Sequence, residues 1–258
     1  MPLLSTAFCP PIEYFALLAE YSSVYIEACE SYAKQSWRNR CRILSANGPL
    51  DLTVPVVHGP VPRLARPSGV APESSRLITA VRVDYSTPWV AKFKRAVESA
   101  YFSSPFFIYY KDALWAILDS RPATLWELNR RLLDFFCTRI GIAPQIIPTA
   151  DYRPAGGKAP SAVSLPLDPT ADAVPPLSMP RVAAASGALP PAEADYREAI
   201  HPKRPNTILA DLGLARPYWQ VFRDRYGFVD GLSVMDLQFN EGPESLSQLR
   251  RPLRELSK

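Results

Sequence analysis

Three arginines, Arg38, Arg40 and Arg42, occupy every second position of a segment that alternates in polarity. In a β-strand such residues project to one face at intervals of about 6.5 Å. Guanidinium groups at this spacing can bind a diphosphate, or a phosphate and a carboxylate, through paired hydrogen bonds. The same row is compatible with a solvated sheet face that forms salt bridges, and with RNA binding.

Asn39 is predicted on the opposite face of that strand, together with Cys41 and Ile43. A polar side chain among apolar ones needs hydrogen-bond partners, so Asn39 is either a structural bracket or a ligand contact. Arg38, Asn39 and Arg40 are therefore candidate substrate-binding residues.

The turn Cys9-Pro10-Pro11 is the second place where the residue types suggest chemistry. Glu13 and Tyr14 would lie in the first turn of the helix that follows, where backbone N–H groups can bind an anion. Glu13 is a candidate general base if burial beside a substrate raises its pKa, and otherwise an ordinary first-turn acid. Tyr14 is a candidate substrate-binding residue.

His201 is the second catalytic candidate, because it stands in a compact charged segment ending at Lys203. A loop histidine can equally be structural or exposed. The histidines and the four cysteines show no metal-ligand spacing, so no metal site is expected. Because the sequence has no glycine-rich phosphate motif and no G-x-S-x-G, no cofactor is indicated and the dinucleotide, P-loop and common hydrolase classes are disfavoured.

A mixed α/β fold must position these candidates, beginning with a β-α-β unit. The predicted elements of its first half are a strand at 3–8, a helix at 11–21, a strand at 24–27, a hairpin with a type I′ turn at Asn47-Gly48, and a strand at 77–83 that closes one N-terminal mixed sheet. A loop rich in proline, glycine and arginine is expected at 57–76.

Helices are predicted to dominate the rest of the chain. The patterns indicate helices at 88–101, 106–118 and 124–140, and shorter ones at 216–226, 233–240 and 243–256. Thr124 and Glu127 form a capping-box pattern for the third of these, and Gly141 ends it. Ser233 is the predicted cap of the helix at 233–240.

Residues 154–192 are rich in proline and alanine and contain no aromatic residue. Such a composition cannot bury enough apolar surface to offset chain entropy, so we expect a disordered insertion. It would separate an N-terminal α/β part, 1–153, from a C-terminal helical part, 193–258, that packs on the same domain.

The overall composition limits the classes of partner. The 29 basic and 25 acidic residues nearly balance, so nucleic acid is not expected as a partner. No segment reaches the roughly 20 apolar residues of a membrane span, and the N-terminus does not look like a signal peptide. A cytoplasmic location is therefore expected.

Several separated blocks together resemble the WbqC-like protein family. They are Pro10–Phe15 (PPIEYF), Tyr32–Ile43 (YAKQSWRNRCRI), Leu52–Val56 (LTVPV), Trp89, Ala100–Phe107 (AYFSSPFF) and Leu232–Ser245 (LSVMDLQFNEGPES). The resemblance covers most of the chain except the predicted insertion, and it is nearest to the branch seen in Bacteroidetes. It adds Lys34 and Trp89 to the candidate substrate-binding residues, although Trp89 is also compatible with a core position.

The family takes its name from bacterial gene clusters for O-antigen synthesis. The resemblance therefore implies an association with surface-polysaccharide or amino-sugar modification. The function that we expect is an enzyme of that pathway, a group transferase that binds an anionic donor or nucleotide sugar. Many members carry His-Gln-Pro where this chain has Thr6-Ala7-Phe8, and histidine where it has Pro88. If those histidines are catalytic, this chain uses other groups or is a non-catalytic binding or assembly protein of the same pathway.

Overall fold

The computed structural model describes residues 1–57, 77–152, 194–214 and 218–251, and within them the fold is mixed α/β, as the sequence predicts. The strands are β1 (Leu3–Ser5), β2 (Ser23–Glu27), β3 (Arg40–Ser45), β4 (Gly48–Thr53) and β5 (Gln145–Pro148). The helices are α1 (Ile12–Glu20), α2 (Trp89–Tyr101), α3 (Phe107–Asp119), α4 (Leu125–Ile140), α5 (Ile208–Asp211), α6 (Arg223–Tyr226), α7 (Val234–Glu241) and α8 (Ser245–Leu249).

A parallel sheet in the order β1-β2-β5 carries the site described below, and α1 connects its first two strands. A later segment extends this sheet beyond β1: Leu3 N donates to Ala194 O at 3.0 Å, and Tyr196 N donates to Leu3 O at 2.9 Å. This added bridge is also parallel. The carboxyl ends of the strands and the residues after Tyr196 therefore meet at one edge.

Strands β3 and β4 form an antiparallel hairpin that is a separate small sheet. The predicted type I′ turn is wrong, since it requires positive φ at both central residues. Ser45 pairs with Gly48, so the two loop residues are Ala46 and Asn47, and neither has positive φ. The reversal therefore lies one residue earlier than predicted. Gly48, the first residue of β4, has a φ of 100°, which glycine adopts readily because it has no Cβ.

The strand predicted at 77–83 is also corrected. This segment contains a short 3-10 turn, Ile78–Ala80, flanked by single bridges. Its backbone groups bond to three separate segments of the chain. Ile78 N donates to Glu30 O, Val81 O accepts from Leu125 N, and Arg82 O accepts from Val57 N. Because the partners change at almost every residue, no continuous ladder forms.

Helix α4 confirms its predicted signals. Glu127 N donates to the Thr124 hydroxyl at 3.1 Å, and Gly141 adopts a left-handed conformation at the other end. Ser233 likewise caps α7, by accepting from Met235 N at 3.3 Å. Among the described residues, the helices predicted at 216–226 and 243–256 are shorter than expected, because α6 begins at Arg223 and α8 ends at Leu249. Residues 216–217 and 252–256 of these predictions lie outside the described ranges. Strand β5 and helix α5 were not predicted.

The core joins the helical layer to the C-terminal helices through aromatic contacts. Phe15 of α1 packs against Phe136 of α4 with ring centroids 6.1 Å apart, and Phe107 of α3 packs against Phe239 of α7 at 5.1 Å. The insertion and the proline-rich loop predicted from the sequence lie outside the described residues, apart from Val57 at the start of the loop. In the ranges given above, no helix has the length and apolar character needed to cross a bilayer.

Candidate ligand-binding site at the sheet edge

A cavity of about 70 Å³ lies at the carboxyl edge of the parallel sheet. Its wall is formed by the end of β1, by Tyr14 of α1, by the loop between β2 and β3, and by the segment that follows Tyr196. The charged and polar lining includes Ser5, Lys34, Arg38, Arg197, Glu198 and His201. In open α/β sheets, ligands bind at this edge.

Arg38 is held at the cavity wall by a nearly buried carboxylate. Its Nε donates to Glu30 Oε1 at 2.9 Å, and Nη2 pairs with Glu30 Oε2. Ser5 Oγ completes the cluster, because it donates to Glu30 Oε2 and accepts from Arg38 Nη2, each at 2.9 Å. Burial raises the pKa of Glu30, and Arg38 opposes that rise. The hydrogen bonds to Glu30 and Ser5 fix the orientation of the Arg38 guanidinium.

Arg197 reaches the cavity from the segment that pairs with β1. Its Nη1 donates to Glu27 Oε2 at 3.1 Å, and its Nη2 donates to Asp195 Oδ2 at 2.6 Å. Glu27 is fully buried at the end of β2 and also accepts from the Thr149 hydroxyl at 2.5 Å. These bonds attach residues 195–197 to the carboxyl ends of both β2 and β5.

His201 lines the cavity in surroundings that favour the neutral form of its imidazole. Burial and the positive charges of Arg204, Lys203 and Arg38 lower its pKa below the ordinary value, although Glu198 opposes this shift. Its Nδ1 accepts from Lys203 N at 3.2 Å, so the proton of the neutral ring belongs on Nε2. The group that His201 can offer to a ligand is therefore an Nε2–H donor.

Lys34 is exposed and has no ion-pair partner among the residues that the structure describes. Arg38, in contrast, is paired with Glu30, and Arg197 is paired with both Glu27 and Asp195. The wall also includes the carboxylate of Glu198, so Lys34 is its one lysine or arginine without a carboxylate partner in the described part of the chain.

The predicted row of three arginines is divided. Strand β3 begins at Arg40, so Arg38 lies outside it and lines the cavity. Arg40 and Arg42 instead share Asp51 across the hairpin, at 3.4 Å and 2.7 Å. The salt-bridge alternative therefore describes these two, and the three guanidinium groups do not face one common ligand.

Asn39 and Trp89 do not line the cavity. Asn39 Nδ2 donates to Val54 O at 2.8 Å, and Val54 N donates back to Asn39 O at 2.8 Å, which is the arrangement of a structural bracket. Trp89 is buried in the core beside Tyr85, with ring centroids 5.8 Å apart.

Glu13 and its neighbour Tyr14 have different surroundings. Glu13 is buried near Tyr218 and contributes to the raised pKa of that tyrosine, after the larger effects of burial and Asp236. The start of α1 is covered by the start of α7, where Val234 N donates to Pro10 O at 2.8 Å. Tyr14 does line the cavity, and its hydroxyl donates to Ser5 O at 3.0 Å.

Sequence reasoning did not select Ser5, Glu30 or Arg197. A usable signal existed for the first two, because residues that follow the strands of a β-α-β unit meet at one edge. Arg197 lies 170 positions from its partner Glu27, and no local pattern reveals that pairing. Thr6 and Ala7, which stand where the resembled family often has histidine and glutamine, also line the cavity.

The fold and this cavity define an α/β protein with a small cavity lined by charged side chains at the carboxyl edge of a parallel sheet. The chain belongs to the WbqC-like protein family, whose profile matches residues 6–248. It is 28% identical over 250 residues to an uncharacterized protein of Mycobacterium tuberculosis, with 96% of each chain covered. No solved structure gives a significant match. The Bacteroidetes branch stays a prediction.

Proposed function

We propose that the chain is a group-transfer enzyme of surface-polysaccharide or amino-sugar modification that binds the anionic group of a donor, such as a nucleotide sugar, in the sheet-edge cavity. The observation that carries the proposal is the meeting of Lys34, Arg38 and His201 at the carboxyl ends of parallel strands. The reaction class follows from the family resemblance, and a cytoplasmic location belongs to the same proposal.

The size of the cavity limits what it can enclose. Its volume of about 70 Å³ is well below the roughly 300–1,000 Å³ of most small-molecule sites. A phosphate or carboxylate group fits inside, and the rest of a donor would extend beyond the described wall. Lys34 supplies positive charge to such a group, the oriented guanidinium of Arg38 supplies N–H donors, and His201 Nε2–H supplies a neutral hydrogen bond.

These groups suit a leaving group that gains negative charge during transfer. Hydrogen-bond donors that are already oriented before the reaction stabilise such developing charge. Glu13 does not line the cavity, so among the two catalytic candidates His201 is the group we assign to the ligand. The protonation of Nε2 favours hydrogen bonding to the donor over proton abstraction.

A second candidate function is ligand binding without catalysis in the same pathway. The specific observation in its favour is that Thr6 and Ala7 occupy the cavity wall where the resembled family often has histidine and glutamine. In this alternative the cavity still binds an anionic ligand, but the chain does not turn it over.

A thermal-shift screen against nucleotide sugars, nucleoside diphosphates and acyl donors tests both candidates. A ligand at 100 times its Kd adds about 2.7 kcal/mol to the free energy of unfolding. The shift should fall in Lys34→Ala and persist in Lys92→Ala, which removes an exposed lysine of α2. Release of the nucleotide in the presence of sugar acceptors would identify the enzyme, while binding without release would identify the second candidate. No shift with any anionic compound would contradict both.

A further inference from the structure

A second cavity, of about 290 Å³, shares no lining residue with the sheet-edge cavity. It lies between the start of the segment at 218–228 and the end of α7 with the residues that follow. Its wall includes Tyr218, Trp219, Arg223, Phe228, Glu241 and Gln248. Its volume is near the lower end of the range for small-molecule sites.

Trp219 is an aromatic ring held at the wall of this cavity but left in contact with solvent. The residue is 41% exposed, so part of its indole ring is open to solvent. Its backbone N donates to Glu241 Oε1 at 2.8 Å, which anchors the main chain of Trp219 beside the cavity. The adjacent Tyr218 packs edge-on against Phe228 at 5.3 Å and forms the apolar floor.

The polar groups of the wall are arranged around one unused acceptor. The second carboxylate oxygen of Glu241 accepts from Gln248 Nε2 at 3.3 Å, which orients the amide. Gln248 Oε1 is withdrawn from solvent and has no hydrogen-bond partner among the described residues. A withdrawn acceptor without a donor is unfavourable, so a ligand that supplies one gains free energy here. Arg223 is exposed, and its guanidinium offers donors.

We propose that this cavity binds the pyranose ring of a carbohydrate. A pyranose presents a flat face of C–H groups to the Trp219 indole, and each hydroxyl both donates and accepts. One hydroxyl can therefore satisfy Gln248 Oε1 while another accepts from Arg223. Arg251 lines the same cavity as Arg223, and both arginines would suit a phosphate, but Glu241 and Gln248 Oε1 present acceptors that oppose an anionic group there.

Calorimetric titration of the full chain with methyl glucoside, methyl galactoside and methyl N-acetylglucosaminide tests this site. At least one of them should bind saturably, and Trp219→Ala should raise its Kd about tenfold through the loss of the stacking contact. Tyr109→Ala removes a 74% exposed aromatic ring of α3 that is not part of the cavity wall, and should leave the Kd unchanged. Gln248→Met, which keeps the side-chain length without the amide, should also weaken binding.

The outcomes separate this site from the sheet-edge cavity. Lys34→Ala should leave the glycoside Kd unchanged, whatever it does to anion binding. The absence of saturable glycoside binding would overturn the proposal. So would equal affinities for the Trp219→Ala and unsubstituted chains, or binding of uridine monophosphate here without any glycoside. If Trp219→Ala lowers the Tm strongly, the Gln248→Met titration decides.

Discussion

At the scale of single residues, the Arg38–Glu30 pair shows how a buried charge depends on its partner. The two side chains are 12% and 5% exposed, so each ion has lost most of its water. The charge of one compensates the desolvation of the other. Removing one partner therefore lowers the free energy of unfolding by more than the intact pair contributes to it.

Arg38→Ala should lower the free energy of unfolding by roughly 3 kcal/mol, because it leaves Glu30 as an uncompensated charge. Arg40→Ala is the matched control, since its pair with Asp51 is more exposed, and a change below about 1 kcal/mol is expected. Urea unfolding of both variants measures the difference. Equal effects would mean that the burial of the Arg38 pair carries no energetic consequence.

Asp236 gives a prediction with a defined pH dependence. It is fully buried in α7, and its Oδ2 accepts from the Tyr218 hydroxyl at 2.7 Å. Burial raises the pKa of Asp236 to about 6, although the hydrogen bonds from tyrosine oppose the rise. A carboxyl with a higher pKa in the folded state binds its proton more tightly there. The free energy of unfolding therefore falls as the pH rises through the interval from about 4 to about 6.

Asp236→Asn should remove this component, because the amide does not ionise and still offers Tyr218 an oxygen acceptor. Between pH 4 and pH 7 the unsubstituted chain should lose roughly 2 to 3 kcal/mol relative to the variant. Urea unfolding of both chains across this pH series gives the difference directly. Parallel pH profiles would show that Asp236 titrates at its ordinary pKa.

At the scale of elements, the junction after α7 requires a glycine. Gly242 has a φ of 52°, and a Cβ added there would overlap the ring of Phe106. Phe106 cannot easily withdraw, since its backbone N donates to Phe239 O at 3.0 Å. This close approach aligns the start of α3 with the end of α7.

Gly242→Ala should therefore destabilise the chain by about 3 kcal/mol, from backbone strain and overpacking together. Gly213→Ala is the control, because Gly213 also has positive φ but has no atom near its added Cβ. A cost of about 1 kcal/mol is expected for that variant. Similar losses in thermal or urea unfolding for the two variants would indicate that the Phe106 contact is unimportant.

The elements also show which sequence signals suffice. The capping of α4 was predictable because Thr124, Glu127 and Gly141 bond to groups within a few positions of them. The prediction of a strand at 77–83 was wrong because the backbone partners of this segment come from three separate parts of the chain. Alternation of apolar residues indicates which side chains are buried. It does not show whether the backbone pairs with a single neighbouring strand along its length.

At the scale of the whole molecule, the sheet-edge cavity is assembled from segments that are far apart in sequence. Sequence reasoning selected Tyr14, Lys34, Arg38 and His201, and all four line it. It also selected Glu13, Asn39, Arg40 and Trp89, which lie elsewhere. The type of a residue suggested its chemistry in both groups. The pairing of residues 194–196 with β1, a long-range contact, brings Arg197 and His201 to the wall formed by the other segments.

The central claim is that the charged wall of this cavity binds an anionic group. Calorimetric titration with inorganic pyrophosphate at low ionic strength tests it most directly, because the probe presents phosphate groups without a sugar or base. The claim predicts saturable binding that Lys34→Ala weakens about fivefold and Lys92→Ala leaves unchanged. Absence of saturable binding, or an equal loss in both lysine variants, would contradict it.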